Sequence, residues 1–365
     1  GMIHGQGIFH TKGVERLGIP PLWMSDGPMG VRKELQDDNW APKGTTDDYV
    51  SYLPSNTAIA CTWNRERAAD MGCVLGQEAR GRGKDVILAP GINLIRSPLC
   101  GRNFEYMSED PHLISEMAVP LIRGIEEQDT AACVKHFAAH SGPEKGRHSF
   151  NSVVSKKDLA ETYFPAFERC VKEAGVEGVM GGYNRLNGEA ACGSHHLITE
   201  ILREKWGFDG YYVSDCGAIK DFHMHHGLTD TPQESAALAL KSGCDLNCGA
   251  VYLHVMSACN QGLVSEDDID RAVTHLMMTR MRLGMFDQHT EFDEIPYEVN
   301  DCAEHHSLAL KAAEESMVLL KNDGILPLDK AKLKTVAVIG PNSDSEEILK
   351  GNYNGTATEN YTLLE

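Results

Sequence analysis

The sequence predicts an α/β fold: a (β/α)8 TIM-like barrel followed by the beginning of an α/β sandwich domain. Three observations carry this. Seven short apolar runs alternate with helical patterns between residues 22 and 246. Each run ends in a polar or glycine-rich loop. A fresh apolar run, 334–340, begins after the alternation has stopped. Successive parallel strands need a crossover, usually a helix, so the alternation reads as a parallel sheet. Repeated units with alike loops suit a closed barrel better than an open sheet. No Gly-x-Gly-x-x-Gly follows the first strand, which removes the main support for a dinucleotide fold.

The elements follow in order. Leu22-Trp-Met-Ser25 reads as a strand, with Asp26-Gly-Pro turning the chain after it. Further strands are read at 57–61, 86–89, 131–134, 176–180, 210–213 and 243–246, all short and apolar and closed by turn residues. Residues 64–82 place Ala68, Met71, Leu75 and Ala79 near helical spacing. Residues 157–174 form a second helix, with Ser155 as cap and Asp158 three residues on. The helix at 231–242 opens Thr-Pro-Gln-Glu, a strong start signal. Around 285–300 the pattern fades. A helix is expected over 302–320, then a buried strand over 334–340. The domains are therefore read as a barrel over 1–285, a linker and helix over 286–333, and an incomplete sandwich start over 334–365.

The chain has 34 basic and 53 acidic residues among 365, a net charge of −19. Nucleic acid and anionic membrane surfaces are excluded as partners, since neither would be attracted. No run of 18 apolar residues offers a membrane span. The 11 cysteines show no framework spacing and are read as mostly reduced and buried. Cys244 and Cys248 lack the second pair that a zinc site would need. His223, His225 and His226 read as a solvated loop rather than a metal site. No metal or organic cofactor is implied. A homo-oligomer is compatible with the sequence.

The chemistry concentrates at strand ends. In Val213-Ser-Asp-Cys216, Asp215 closes a buried strand, the end at which barrel enzymes carry catalytic groups. The plain alternative is a helix cap. Asp26, Lys135, His136, Tyr183 and Asn184 stand at other strand ends, and the loop after the third adds Arg102 and Glu105. Carboxylates with Arg and Lys bond sugar hydroxyls with charge assistance. Each residue also has a structural reading: Asp26 as a turn residue, Arg102 and Glu105 as a loop ion pair, Tyr183 as packing.

Taken together, Ser25-Asp-Gly-Pro-Met-Gly-Val-Arg32, Gly101-Arg-Asn-Phe-Glu-Tyr-Met-Ser-Glu-Asp-Pro111, Lys135-His-Phe-Ala-Ala-His140, Met180-Gly-Gly-Tyr-Asn184 and Val213-Ser-Asp-Cys216 resemble glycoside hydrolase family 3, the β-glucosidase and β-xylosidase group. The resemblance implies a retaining exo-acting β-glycosidase with Asp215 as nucleophile, acting on a β-linked oligosaccharide or glycoside. It implies that Asp26 binds hydroxyls far from the scissile bond, and that Arg102, Lys135 and His136 bind the middle hydroxyls. Lys135-His136 often carries a non-proline cis peptide in this family. Tyr183 matches a tyrosine near the nucleophile, Met180 and Arg147 are pocket-wall residues, and these three are counted with Glu105 among the substrate-binding residues.

Two departures stand out. Cys216 follows the nucleophile where many relatives have Trp, which leaves the sugar open between glucose and xylose. No position matches the family's acid/base glutamate, expected from the second domain, so the 365-residue chain alone is expected to hydrolyse poorly. The loop Ser141–His148 sits where the N-acetyl-hexosaminidase branch carries a histidine acid/base, but it lacks that branch's Asp-x-His dyad. A non-catalytic sugar-binding barrel is the other alternative. A further rival is a different barrel enzyme, a metal-dependent hydrolase or an aldolase with Lys135 as Schiff-base lysine. By resemblance the compartment is periplasmic or extracellular, while the many cysteines argue for a cytoplasmic one.

Overall fold

A strand buried on both faces needs side chains that are apolar, small or matched to a buried polar partner, and six runs meet that condition. The computed structural model describes residues 1–7, 9–32, 49–349, 353 and 357–365. Within it β1 (Met24–Ser25), β2 (Val86–Ile87), β3 (Ala131–Phe137), β4 (Gly178–Gly181), β5 (Tyr211–Ser214) and β6 (Leu246–Asn247) are buried at every residue. They lie side by side in chain order, all parallel. Register brings Cys133 beside Gly178, Gly178 beside Tyr211 and Val213 beside Leu246. A Cβ on Gly178 would come within 2.7 Å of the Tyr211 hydroxyl, so glycine alone lets the large β5 tyrosine pack there.

The N-terminal segment joins the two edges of this sheet. Asn247 N donates to Ile3 O and Gly5 N to Asn247 O, both at 3.0 Å, while Met24 N donates to Phe9 O at 2.8 Å. The curled sheet is therefore flanked on β6 and β1 by one stretch of chain, and its unpaired edges are covered.

The α/β, TIM-barrel-like expectation holds, with six parallel strands in the main sheet among the described residues rather than seven units. The odd one out is 57–61. Those residues form the helix Asn56–Cys61, because Ser55 caps it by accepting from Ala58 N at 3.2 Å. A short apolar run cannot be told from a buried helix by periodicity, and the cap decides it. The remaining helices follow their start signals. Asn64 caps Arg65–Gly81, Ser155 accepts from Asp158 N at 3.0 Å to start the helical stretch 156–174, and Thr231 and Glu234 form a reciprocal capping box on Pro232–Ser242.

Beyond the barrel two expectations are corrected. The helix expected over 302–320 spans Ala303–Glu315, and Met317–Leu320 are exposed. The strand expected over 334–340 is absent: Val336 and Ile339 are 70% and 91% exposed. A parallel strand needs a neighbour for its backbone groups, and none of the described residues pairs with this run.

The histidine cluster is not a simple solvated loop either. His226 is buried and His223 bonds Ser235 Oγ at 2.8 Å; His225 is the half-exposed member. Nine cysteines are free, as read, but Cys216 and Cys248 form a disulfide across 32 residues. Sequence spacing hid it, because the two lie on loops after neighbouring strands.

One buried carboxyl makes stability pH-dependent. Glu126 accepts backbone hydrogen bonds from Ala132 at 3.3 Å and Glu177 at 2.9 Å, and burial pushes its pKa up to about 8. The folded value lies above the unfolded one. Its stabilising contribution is thus complete below the ordinary glutamate range and is lost as pH rises toward 8. Relative to Glu126→Gln, the parent is expected to lose about 1.4 kcal/mol per pH unit between pH 5 and 8 and little further above it. Urea unfolding of both proteins at four pH values checks this; parallel curves would refute it.

Candidate active site

Strand β3 delivers the first two groups. Lys135 and His136 are joined by a cis peptide, and both side chains are buried. Asn93 holds the His136 backbone from both sides, accepting from its N at 2.7 Å and donating to its O at 2.9 Å. Lys135 Nζ donates to Asp26 Oδ1 at 2.7 Å and lies 3.7 Å from Glu105 Oε2. Glu105, fully buried, also pairs with Arg102. The backbone carbonyls of Glu105 and Tyr106 accept from Asn56 at 2.8 Å and Thr57 at 2.7 Å. The helix at 56–61 therefore holds the loop that carries Arg102 and Glu105.

The electrostatics are self-consistent. Burial would raise the Glu105 pKa, but Arg102 and Lys135 hold it below the usual range. Burial would lower Lys135, but Asp26 and Glu105 keep it raised. These are paired charges, the only kind that burial tolerates. His136 behaves oppositely. Burial and the nearby Arg102 charge push its pKa well down, so the ring is neutral. Arg102 Nη2 lies 3.0 Å from Nε2 and can only donate, so Nε2 accepts. The proton is then on Nδ1, 3.0 Å from the Tyr106 hydroxyl. Tyr106 in turn reaches His140 Nδ1 at 3.1 Å, and burial takes that imidazole down to about 3.

Asp215 stands at the end of β5 and is buried. Its Oδ1 accepts from Cys216 N at 2.8 Å; its Oδ2 has no hydrogen-bond partner among the described residues. His136 Nε2 is 3.5 Å from that oxygen, too far for a strong bond and already committed to Arg102. Burial raises the Asp215 pKa, with Arg102 and Lys135 opposing. The Asp215 carboxyl is therefore expected to titrate above the ordinary aspartate range. A carboxyl 13C NMR titration of parent and Asp215→Asn between pH 3 and 8 checks this, and a midpoint at the ordinary aspartate value would contradict it.

The other sequence-derived residues lie around this cluster. Tyr183 donates to Cys216 O at 3.0 Å and senses the Asp215 charge. The Arg147 guanidinium lies 5.3 Å from the Tyr183 ring and pairs with Glu144 at 3.2 Å. Met180, on β4, is buried beneath, in a cavity shared with Met24, Leu88 and Val213. Asn184 supports the frame instead, donating to Ala138 O at 3.1 Å.

Sequence reasoning missed several participants. Tyr106 and His140 lie within motifs already noticed, yet nothing local marks them as partners of His136. The Cys216–Cys248 bridge fastens the residue after Asp215 to the loop after β6, and Ser214 Oγ accepts from Asn247 and Cys248 N at 3.1 Å. His148 Nδ1 lies 2.9 Å from Asp221 Oδ2, with its ring 4.7 Å from Tyr183. Tyr353 donates to Glu105 Oε2 at 2.7 Å and accepts from Lys135 Nζ at 3.3 Å.

A buried carboxylate with one free oxygen, facing cations, a neutral imidazole and a tyrosine, suits nucleophilic attack within a polyhydroxyl ligand. Residues 10–279 match the glycosyl hydrolase family 3 N-terminal domain, and residues 317–364 match the C-terminal domain of that family. The chain is 38% identical to thermostable β-glucosidase B of Acetivibrio thermocellus, over 99% of this chain and 45% of that protein. It is 39% identical to xylan 1,4-β-xylosidase of Xylanibacter ruminicola, over 97% and 43% respectively. β-Glucosidase 3B from Thermotoga neapolitana, solved with glucose, superposes with a TM-score of 0.77 at 33% identity, covering 90% of this chain and 46% of that one. The exo-β-xylosidase XlnD, solved with a xylobiose aziridine probe, gives 0.88 at 28% identity, covering 98% and 48%. The chain thus spans about half the length of the relatives it matches.

Proposed function

Since the chain belongs to glycosyl hydrolase family 3, we propose that it carries the sugar pocket and nucleophile of a retaining exo-β-glycosidase, with Asp215 as nucleophile. The single observation behind this reading is the Asp215 carboxylate: buried, at a strand end, with Oδ2 unbonded among the described residues. In the proposed first step Oδ2 attacks the anomeric carbon of a terminal β-linked sugar. The glycosidic bond breaks, its electrons stay on the leaving oxygen, and an acid protonates that oxygen. In the second step the same group, now a base, takes a proton from water as the water displaces Asp215. Arg102 and Lys135 are proposed to bind hydroxyls of the sugar, with His136 orienting Arg102 and packing against the ring.

The acid/base is proposed to lie outside the barrel. Of the other carboxyls of the pocket, Glu105 is held in the charged form by Arg102 and Lys135, and Asp26 is occupied by its bond from Lys135 Nζ. One observation favours a second reading. The His148–Asp221 pair places an imidazole backed by a carboxylate against Tyr183, and it could serve as acid/base. The sequence had offered no partner for His148; Asp221, 73 residues away, supplies one.

Glucosides and xylosides are the proposed substrates. Incubation of the full-length protein with 2-deoxy-2-fluoro sugars of both kinds, followed by peptide mass mapping, tests the nucleophile. A stable adduct on Asp215 is expected; an adduct elsewhere, or none in a protein that hydrolyses the parent glycosides, would reject the assignment. His148→Asn separates the acid/base readings. If His148 is the acid, loss should be severe for poor leaving groups, slight for dinitrophenyl glycosides, and relieved by azide.

A further inference from the structure

We propose that Tyr353 is a specificity-determining residue that reads the substituent on C5 of the bound sugar and favours xylosides over glucosides. The inference rests on the reading above, in which the anomeric carbon faces Asp215.

Contacts across the pocket form an ordered chain. Asp215 lies 3.5 Å from His136, His136 lies 3.0 Å from Arg102, Arg102 pairs with Glu105, Glu105 lies 3.7 Å from Lys135, and Lys135 bonds Asp26 at 2.7 Å. Tyr353 enters in the half of this contact chain away from Asp215. Its hydroxyl is fixed by Glu105 at 2.7 Å and Lys135 at 3.3 Å. Its ring lies 5.2 Å from the Lys135 ammonium and 6.0 Å from the Phe104 ring, and the residue is buried.

A pyranose with its anomeric carbon at Asp215 turns C4 and C5 toward this far end. Glucose and xylose differ there alone, since glucose carries a hydroxymethyl group on C5 and xylose a hydrogen. A phenol locked between two buried charges cannot swing aside without leaving both unsolvated on that side. Its ring therefore takes space that the extra hydroxymethyl group needs. Tyr353 comes from the segment after residue 317, the part that matches the second domain of the family, so the barrel strands by themselves do not fix the choice of sugar.

The test is the ratio of kcat/KM for p-nitrophenyl β-glucoside to that for β-xyloside, in the full-length protein and in Tyr353→Ala and Tyr353→Phe. Tyr353→Ala is expected to raise the ratio by about tenfold, the discrimination one small group commands in a pocket. Tyr353→Phe keeps the ring and is expected to leave the ratio within about twofold while lowering both rates. A ratio unchanged in a folded Tyr353→Ala, or shifted toward xyloside, overturns the inference and leaves the glycosidase reading standing. A Tyr353→Ala protein that does not fold leaves Tyr353→Phe to decide: a tenfold change there would assign the effect to the hydroxyl and overturn the steric account. A parent that cleaves neither glycoside fails the glycosidase reading first, and this inference with it.

Discussion

Asp215→Asn in the full-length protein is expected to lower hydrolysis of p-nitrophenyl glycosides by roughly four orders of magnitude, a barrier increase of about 5.5 kcal/mol. The amide keeps the shape and can still accept from Cys216 N, but it cannot form the glycosyl-enzyme ester. The same change is expected to leave the fold as stable as the parent or more so. Burial raises the Asp215 pKa in the folded state. A group shifted this way stabilises fully below its unfolded pKa, and that contribution is lost as pH rises through the folded value. At neutral pH the charged carboxylate therefore opposes folding, and an amide removes the penalty. Rate and thermal midpoint at pH 7 check both halves. A variant retaining a tenth of the rate would end the nucleophile assignment. A variant that melts well below the parent would end the account of a destabilising charge.

Lys135→Met is the second large effect. Lys135 is 2% exposed at its side chain and stands between Asp26 and Glu105, which is fully buried. Removing the ammonium leaves two carboxylates facing each other with Arg102 as the neighbouring cation. Breaking a buried pair by deleting one partner costs about 3–5 kcal/mol. Urea unfolding should show a loss of that size, and KM for any accepted glycoside should rise beyond measurement. Adding Glu105→Gln to Lys135→Met should recover part of the stability but none of the affinity. Additive losses in the double variant would mean that the two side chains do not act as a pair.

How much of this was legible in the sequence can be argued residue by residue. Asp215, Lys135, His136 and Asp26 sit at the ends of short buried runs, and a strand end fixes which face of a parallel sheet its residue reaches. Arg102 and Glu105 came from the loop after the third strand, and the expectation of a cis peptide at Lys135-His136 came from the family resemblance. The run at 57–61 was misread because five apolar or small residues suit a strand as well as a helix. Only the Ser55 cap and the bonds from Asn56 and Thr57 to the 105–106 backbone settle it. The run at 334–340 has a strand's composition and no strand's partners, and composition cannot report a missing neighbour.

The sequence by itself determined the alternation of strand and helix, the caps, the net negative surface and the polar residues that share one end of the barrel. These are local properties, written in spacing and side-chain type. The tertiary structure alone decided which distant groups meet: Cys216 with Cys248, His148 with Asp221, Tyr353 with Lys135 and Glu105. It also decided that His136 is neutral while Lys135 remains charged, although the two are adjacent in the chain. The reason is physical. Charge state depends on burial and on which opposite charges lie within a few ångströms, and neither is a property of neighbouring letters.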